Sequence, residues 1–204
     1  MKSVYRRIRQ SLTRNDAVQP VDLILVMAGR MERKRYGLEL YRSGLAPRLV
    51  LSVGRFEVSK MAQLDVEWAD QLKSMRDATP PDERHFFVTL DGSGVHLVKT
   101  KLERISTYGE ALAFRRLLDG QAVRKVMVIS TDVHLRRVAL TFAAIFRDTA
   151  IEFLYCPLPA RFAHAADGRY VISEIIKLTG YRVALSAPEW ASRRLMRLTG
   201  WGRK

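Results

Sequence analysis

The sequence predicts an α/β fold, a three-layer α/β/α Rossmann-like sandwich built on a mostly parallel sheet. Three observations carry that expectation. Short apolar runs at 22–28, 48–53, 126–129 and 151–155 alternate with helical periodicity at 30–41, 59–77, 107–118 and 133–146, the pattern of right-handed βαβ units. The runs are nearly continuous in apolar residues rather than alternating, as befits strands covered on both faces. Glycine or small polar residues close them, at Gly29, Gly54 and Ser130-Thr131.

Each element follows from its residues. DLILVMA at 22–28 is a central strand, stopped by Gly29. Met31, Leu38 and Tyr41 then recur at helical spacing until Ser43, Gly44 and Pro47 end the pattern. RLVLSV at 48–53 is the second strand. One long helix is expected over 59–77, with Met61, Leu64, Trp68, Leu72 and Met75 on one stripe that reads as core packing. Thr79, Pro80 and Pro81 break the chain. The runs 85–90 and 95–98, joined by Asp91-Gly92-Ser93-Gly94, form either a hairpin or one parallel strand beside a loop. Ala111, Phe114, Leu117 and Leu118 face inward from the helix at 107–118, which Gly120 stops. A Pro157 and Pro159 loop follows the strand at 151–155, and helices at 171–178 and 188–198 close the chain.

With 204 residues, 48% of them hydrophobic, the chain can bury a full core. One domain is expected over 21–185, between a basic segment at 1–20 and a basic helix within 186–204. Cys156 is the sole cysteine, a buried bystander that fits a reducing compartment. The net charge is +14, of which residues 1–16 and 188–204 contribute +4 each. Charge concentrated in the tails favours an anionic surface touched by the chain ends over a basic groove across the domain. No apolar run approaches the ~20 residues that cross a bilayer, and MKSVYRRIRQ is followed by polar SLTRNDAVQP. The expectation is a cytoplasmic protein, peripheral to the inner membrane. Nucleic acid is disfavoured as a partner, because aromatics do not interleave with a basic stripe.

The chain lacks a phosphate loop of the GxxxxGK[ST] type, a GxGxxG fingerprint, a zinc HExxH helix and a GxSxG elbow. His85, His96 and His164 lack metal-type spacing, so no metal site is expected. The stretch VMVISTDVHLRR at 126–137 is the most informative, because an apolar run ends in small polar residues and passes directly into a helix carrying His134 and Arg137. Three residues apart, these two share a helix face. A cation near a helix amino terminus is unfavourable by up to ~1 kcal/mol, so an anion is expected to offset it. The competing account is a solvated helix start.

Polar residues recur where the other strands end. Gly29 and Arg30 follow the first, Gly54 and Glu57 the second, and Glu103, Ser106 and Thr107 precede the helix at 107. Such ends converge on one rim of a parallel sheet, where ligands bind. Glycine admits close backbone approach, hydroxyls and arginine bind phosphate or carboxylate oxygens, and histidine moves a proton near neutral pH. The expected catalytic residues are His134 and Glu103. The expected ligand-binding residues are Gly29, Arg30, Gly54, Glu57, Ser106, Thr107, Ser130, Thr131 and Arg137.

LYRSGLAPRLVLSVG at 40–54, ERISTYGEA at 103–111, VISTDVHLRRVALTF at 128–142 and SEIIKLTGYRV at 173–183 together resemble the YdcF/SanA/ElyC proteins, a bacterial domain of unknown function. The resemblance spans roughly residues 21–185. Its most specific parts are Glu103, Ser106 and Thr107 with Glu110 after them, and the strand followed by His134 and Arg137. Glu174 is similar to a glutamate in the family's closing helix. Two glycines usually follow the first strand in that family where this chain has Gly29-Arg30, residues 79–100 fit its pattern poorly, and the membrane-spanning helix that several relatives carry at the amino end has no counterpart among residues 1–20. The resemblance implies a Rossmann-like fold with a polar pocket. It also implies S-adenosylmethionine or a nucleotide-like molecule as ligand or cofactor, and a role in envelope and polyprenyl-phosphate metabolism. No reaction is firmly assigned to the family.

Three functional classes follow. The first is a binder or enzyme for a small anionic ligand, phosphate- or adenosine-bearing, with Arg137 holding the anion and His134 or Glu103 as general acid or base. The second is a noncatalytic peripheral membrane or envelope-assembly factor. The third is a nucleic-acid-binding protein.

Overall fold

A computed structural model describes residues 10–100, 102, 106–162 and 168–186. The fold is α/β, with helices on both faces of a six-stranded mixed sheet. In chain order the main elements are β1 (Leu23–Val26), α1 (Met31–Arg42), β2 (Leu49–Gly54), α2 (Ala69–Asp77), β3 (His85–Asp91), β4 (Gly94–Lys99), α3 (Thr107–Leu117), β5 (Lys125–Ser130), α4 (Asp132–Ile145), β6 (Glu152–Pro157) and α5 (Gly168–Ser186).

The spatial strand order is β4-β3-β2-β1-β5-β6. β1 pairs in parallel with β2 and β5, and β5 in parallel with β6. β3 is antiparallel to both neighbours, so the Asp91-to-Gly94 connection closes a hairpin. β4 therefore runs in the same sense as β2, and the ends of β1, β2, β4 and β5 reach one rim.

Strand residues alternate between two cores because side chains leave a strand on opposite faces. Ile24, Val26, Leu49, Leu51, Met127 and Ile129 pack with Met31, Leu38, Met61 and Leu72 on one face. Leu23, Leu25, Met27, Val50, Val126 and Val128 pack with Ala111, Phe114, Leu135, Val138 and Phe142 on the other. α5 packs on α4 through Val133, Val171 and Leu178, with Leu12 beneath them. Ahead of β1, Asp16 donates its N–H to Tyr155 O (3.0 Å) and accepts Tyr155 N–H on its carboxylate (2.8 Å), protecting the free edge of β6. Among the described residues no helix is long and apolar enough to cross a membrane.

Two expected elements differ. The continuous helix over 59–77 is a 3-10 turn at Val58–Leu64, a left-handed residue at Asp65 (φ 50°), and then α2. Aspartate tolerates that conformation better than most residues, and the break still buries Met61, Leu64, Trp68 and Leu72 in one core. The final helix of the domain extends to 168–186, through Gly180, because Tyr181 and Ala184 continue its buried side. The helix expected at 188–198 and His164 lie outside the described residues.

Gly37 sets how closely α1 approaches β1: a Cβ there would lie 2.3 Å from Val26 Cγ2. Gly37→Ala gains about 1 kcal/mol of helix propensity but forces overlap with a rigid β-branched side chain, which costs about 1–3 kcal/mol. The expected outcome is a net loss of stability, read as a lower urea midpoint. A midpoint at or above wild type would show that helix and strand have room to separate.

Candidate functional site

The rim holds a cavity of about 300 Å³. Its wall takes Ala28 and Gly29 from the end of β1, Gly54 to Glu57 from the end of β2, and His85 from the start of β3. Leu102, Ser106, Thr107 and Glu110 come from the approach to α3 and its first turn. His134 and Arg137 project from α4, and Lys177 and Tyr181 from α5.

The end of β1 is tied down by carboxylates. Glu110 accepts Ala28 N–H at 2.7 Å, and Glu57 accepts Gly29 N–H at 2.7 Å and Gly54 N–H at 3.3 Å. Glu57 also pairs with the fully buried Lys34. Burial pulls the Lys34 ammonium below the ordinary lysine range, and Glu57 opposes that shift. Beside it, Arg33 donates to Ala28 O and, at 3.1 Å, to Thr131 Oγ1. Gly29 adopts φ 136°, and a Cβ there would meet Arg33 Nη1 at 2.8 Å. At Gly54 a Cβ would meet Glu57 Oε1 at 3.0 Å. Both glycines line the cavity, and each also clears space for a charged side chain of the protein itself.

Ser106 caps α3 from an extended backbone, its hydroxyl accepting Gly109 N–H at 3.1 Å. Thr107 thereby starts the helix at the cavity wall. Its hydroxyl meets His134 Nε2 at 3.1 Å, while Ser130 Oγ meets His134 Nδ1 at 2.8 Å. Burial, with Arg137, Arg33 and Lys177 nearby, holds the His134 imidazole well below its usual pKa. The neutral ring carries one N–H, so it donates to one hydroxyl and accepts from the other. Thr131 occupies the N-cap of α4 without a side-chain capping bond, its hydroxyl being committed to Arg33.

Arg137 is 9% exposed and Glu174 1%. The two form a bidentate pair, Nε to Oε2 at 3.0 Å and Nη2 to Oε1 at 3.2 Å, and Arg137 Nη1 donates to Thr107 Oγ1. Lys177 adds a contact to Glu174 Oε1 at 3.1 Å, and the Arg137 guanidinium lies 5.3 Å from the Tyr181 ring centre. The anion expected to offset Arg137 near its helix start is therefore an internal carboxylate. Removing one member of such a buried pair leaves an uncompensated charge, typically a loss of ~3–5 kcal/mol.

The structure thus brings Gly29, Gly54, Glu57, Ser106, Thr107, His134 and Arg137 to one cavity. Ser130 and Thr131 sit behind that wall as hydrogen-bond partners of His134 and Arg33. Arg30 is exposed at the N-cap of α1 and does not line the cavity, because the chain turns outward at Gly29 and the neighbouring Arg33 takes the inward place. Glu103 lies outside the described residues.

Reasoning from the sequence passed over Arg33, Lys34, Arg55, Arg84 and Lys177. For Lys34 a signal exists: it falls on the stripe Met31, Lys34, Leu38, Tyr41, where helical period calls for an apolar residue. Arg55 and Arg84 stand in connecting turns, where no periodicity marks them.

Comparison with protein-family models, curated proteins and solved structures finds no match to this chain.

His85 meets Ser52 Oγ at 2.9 Å, and burial pushes its pKa down to about 4. Below pH ~6.5 the unfolded chain protonates His85 and His134 while the folded chain refuses both protons, so stability falls as pH drops from about 6.5 towards 4. Each histidine contributes a slope of up to ~1.4 kcal/mol per pH unit. Asp22, held low by the Arg124 and Lys125 amides, matters only at lower pH. Urea midpoints measured at pH 7.5, 6, 5 and 4.5 are expected to decline, and His85→Gln is expected to flatten the decline. An equally steep decline in that variant would place the linkage elsewhere.

Proposed function

We propose that this protein binds a small anionic, phosphate-bearing molecule in the rim cavity and that His134 and Thr107 act on it there. One observation carries the reading. Arg55, Arg84, Arg137 and Lys177 line the cavity, while two of its carboxylates, Glu57 and Glu110, are spent on backbone amides. Asp82 stands exposed at the rim. The volume of about 300 Å³ lies at the small end of ligand pockets. His134, neutral and between two hydroxyls, would take a proton from Thr107 once a bound anion offsets the cations that hold its pKa down.

The resemblance to the YdcF/SanA/ElyC proteins supplies a finer reading, a nucleotide-like ligand or S-adenosylmethionine and a place in envelope polyprenyl-phosphate metabolism. A cation-lined wall favours phosphate oxygens over a sulfonium, which ranks nucleotides and isoprenoid phosphates ahead of S-adenosylmethionine. Calorimetric titration with the three classes tests this. Saturable binding of a phosphate-bearing class is expected, weakened about tenfold or more by His134→Ala or Thr107→Val through loss of polar contacts. No saturable binding by wild type to any of the three would reject the pocket reading.

One feature favours the second reading, contact with an anionic membrane surface. α5 exposes Ile172, Ile176 and Val183 at 59%, 57% and 64%, on the side away from Val171, Leu178 and Tyr181. Arg136 and Arg182 lie exposed nearby, and basic termini flank the domain in sequence. Interfacial helices combine such apolar and basic features. Flotation with phosphatidylglycerol vesicles but not phosphatidylcholine vesicles is expected, and loss of it in Ile176→Glu/Val183→Glu. Flotation indifferent to those substitutions removes α5 from this account, and none by wild type rejects membrane contact.

A further inference from the structure

We propose that Arg55 and Arg84 form the grip for a phosphoryl group in the rim cavity. This assignment rests on the reading of the cavity as an anion pocket. It follows from how each guanidinium has spent its N–H groups. A guanidinium offers five donors in a rigid fork.

Arg137 has committed Nε and Nη2 to Glu174 and Nη1 to Thr107, and Glu174 balances its charge. Lys177, on the same wall, also contacts Glu174. Glu174 offsets one of these two charges, so this wall keeps a single net positive charge, while the Arg137 guanidinium itself is fixed by its bonds to Glu174 and Thr107.

Arg55 differs. It follows Gly54 in the turn after β2 and lines the cavity. Among the described residues it has no carboxylate partner, and its Nε is buried without a hydrogen-bond partner. Its guanidinium lies 4.3 Å from the Phe56 ring centre, which holds the side chain without satisfying its charge. A merely solvated arginine would keep Nε in water. A donor excluded from water and left unpaired is costly, and an anion seated in the cavity would remove that cost.

Arg84 stands just ahead of β3, whose first residue, His85, pairs with Gly54 at the end of β2. Its Nε donates to Thr79 O at 2.8 Å, which anchors the side chain. Among the described residues its terminal nitrogens have no hydrogen-bond partner and no ion pair. Arg55 and Arg84 thus reach the cavity from neighbouring strands, both just beyond the Gly54–His85 pairing at the same end of the sheet.

Two guanidinium forks with open donors match the several oxygens and the double charge of a phosphate monoester or diphosphate near neutral pH. A carboxylate group offers two oxygens in one plane where a phosphoryl group offers three in a tetrahedral array, so citrate matches the charge of pyrophosphate without its geometry. Phe56 is 66% exposed and leaves an apolar surface for the organic part of the ligand.

Calorimetry with inorganic pyrophosphate and with citrate as probes tests the assignment on wild type, Arg55→Gln, Arg84→Gln, the double variant, and Arg42→Gln at the far end of α1. Pyrophosphate binding is expected to weaken about 10- to 100-fold in each single cavity variant, as for loss of charge-assisted hydrogen bonds. It should vanish in the double variant and stay unchanged in Arg42→Gln, with citrate binding more weakly throughout. Melting temperatures of the cavity variants should stay within a few degrees of wild type, since Arg84 gives up only its bond to Thr79 O, Arg55 gives up an unpaired donor, and neither supports a described ion pair. Arg55→Lys, which keeps charge without the fork, should fall between wild type and Arg55→Gln and serves if Arg55→Gln melts early. Pyrophosphate binding that survives in a folded double variant overturns this assignment and leaves the pocket reading standing. Citrate binding as tight as pyrophosphate overturns the phosphoryl class. A wild type that binds neither probe removes the pocket reading and this assignment with it.

Discussion

β1 is buried along its whole length between two helix layers, and the chain leaving it must satisfy its amides inside the protein. That requirement organises the rim. The N–H groups of Ala28 and Gly29 end on Glu110 and Glu57, carboxylates brought from α3 and from the turn after β2. Once Glu57 is placed there, a buried cation is needed to balance it, and Lys34 supplies it from α1. Arg33 takes the remaining carbonyl of Ala28, and Gly29 has no side chain because Arg33 fills that place. A strand end thus links four elements through charges that are buried, as at Lys34 and Glu110, or half-buried, as at Glu57.

A second set of charges shapes the opposite wall. Arg137 sits in the second turn of α4, where the helix field disfavours a cation. α5 answers with Glu174, and the pair holds Thr107 against His134. This explains why a helix with exposed aliphatics on one side is anchored through a buried ion pair on the other. It also changes what Arg137 does: a guanidinium with all its nitrogens engaged orients neighbours. The cationic character left facing the cavity comes from the turns after β2 and before β3, with Lys177 of α5 adding to it.

Most of the fold was legible because burial on both faces imposes long apolar runs and because helices repeat every 3.6 residues. The strands β1, β2, β5 and β6 stand where those runs stand. Where residues 85–98 left two arrangements open, the antiparallel register of β3 against β2 decides for a hairpin. The expected helix at 59–77 failed because a 3-10 turn with a kink at Asp65 presents Met61, Leu64, Trp68 and Leu72 to the core as a straight helix would. Periodicity records which side is buried and is blind to such a break.

The site divides along the same line. The sequence by itself determined which strand ends carry glycine, hydroxyl, histidine and arginine, since these residues interrupt apolar patterns at the ends of runs. It also held, in Lys34 and Glu174, charges set on apolar stripes, a sign of buried pairing. Only the tertiary structure decided which charges neutralise each other, because partners such as Arg137 and Glu174 or Lys34 and Glu57 lie 37 and 23 residues apart. Their pairing depends on how helices cross the sheet edge, and no local pattern encodes that crossing. The same geometry leaves Arg55 and Arg84 as the cavity-lining guanidiniums without a carboxylate partner among the described residues, a property that belongs to what surrounds them.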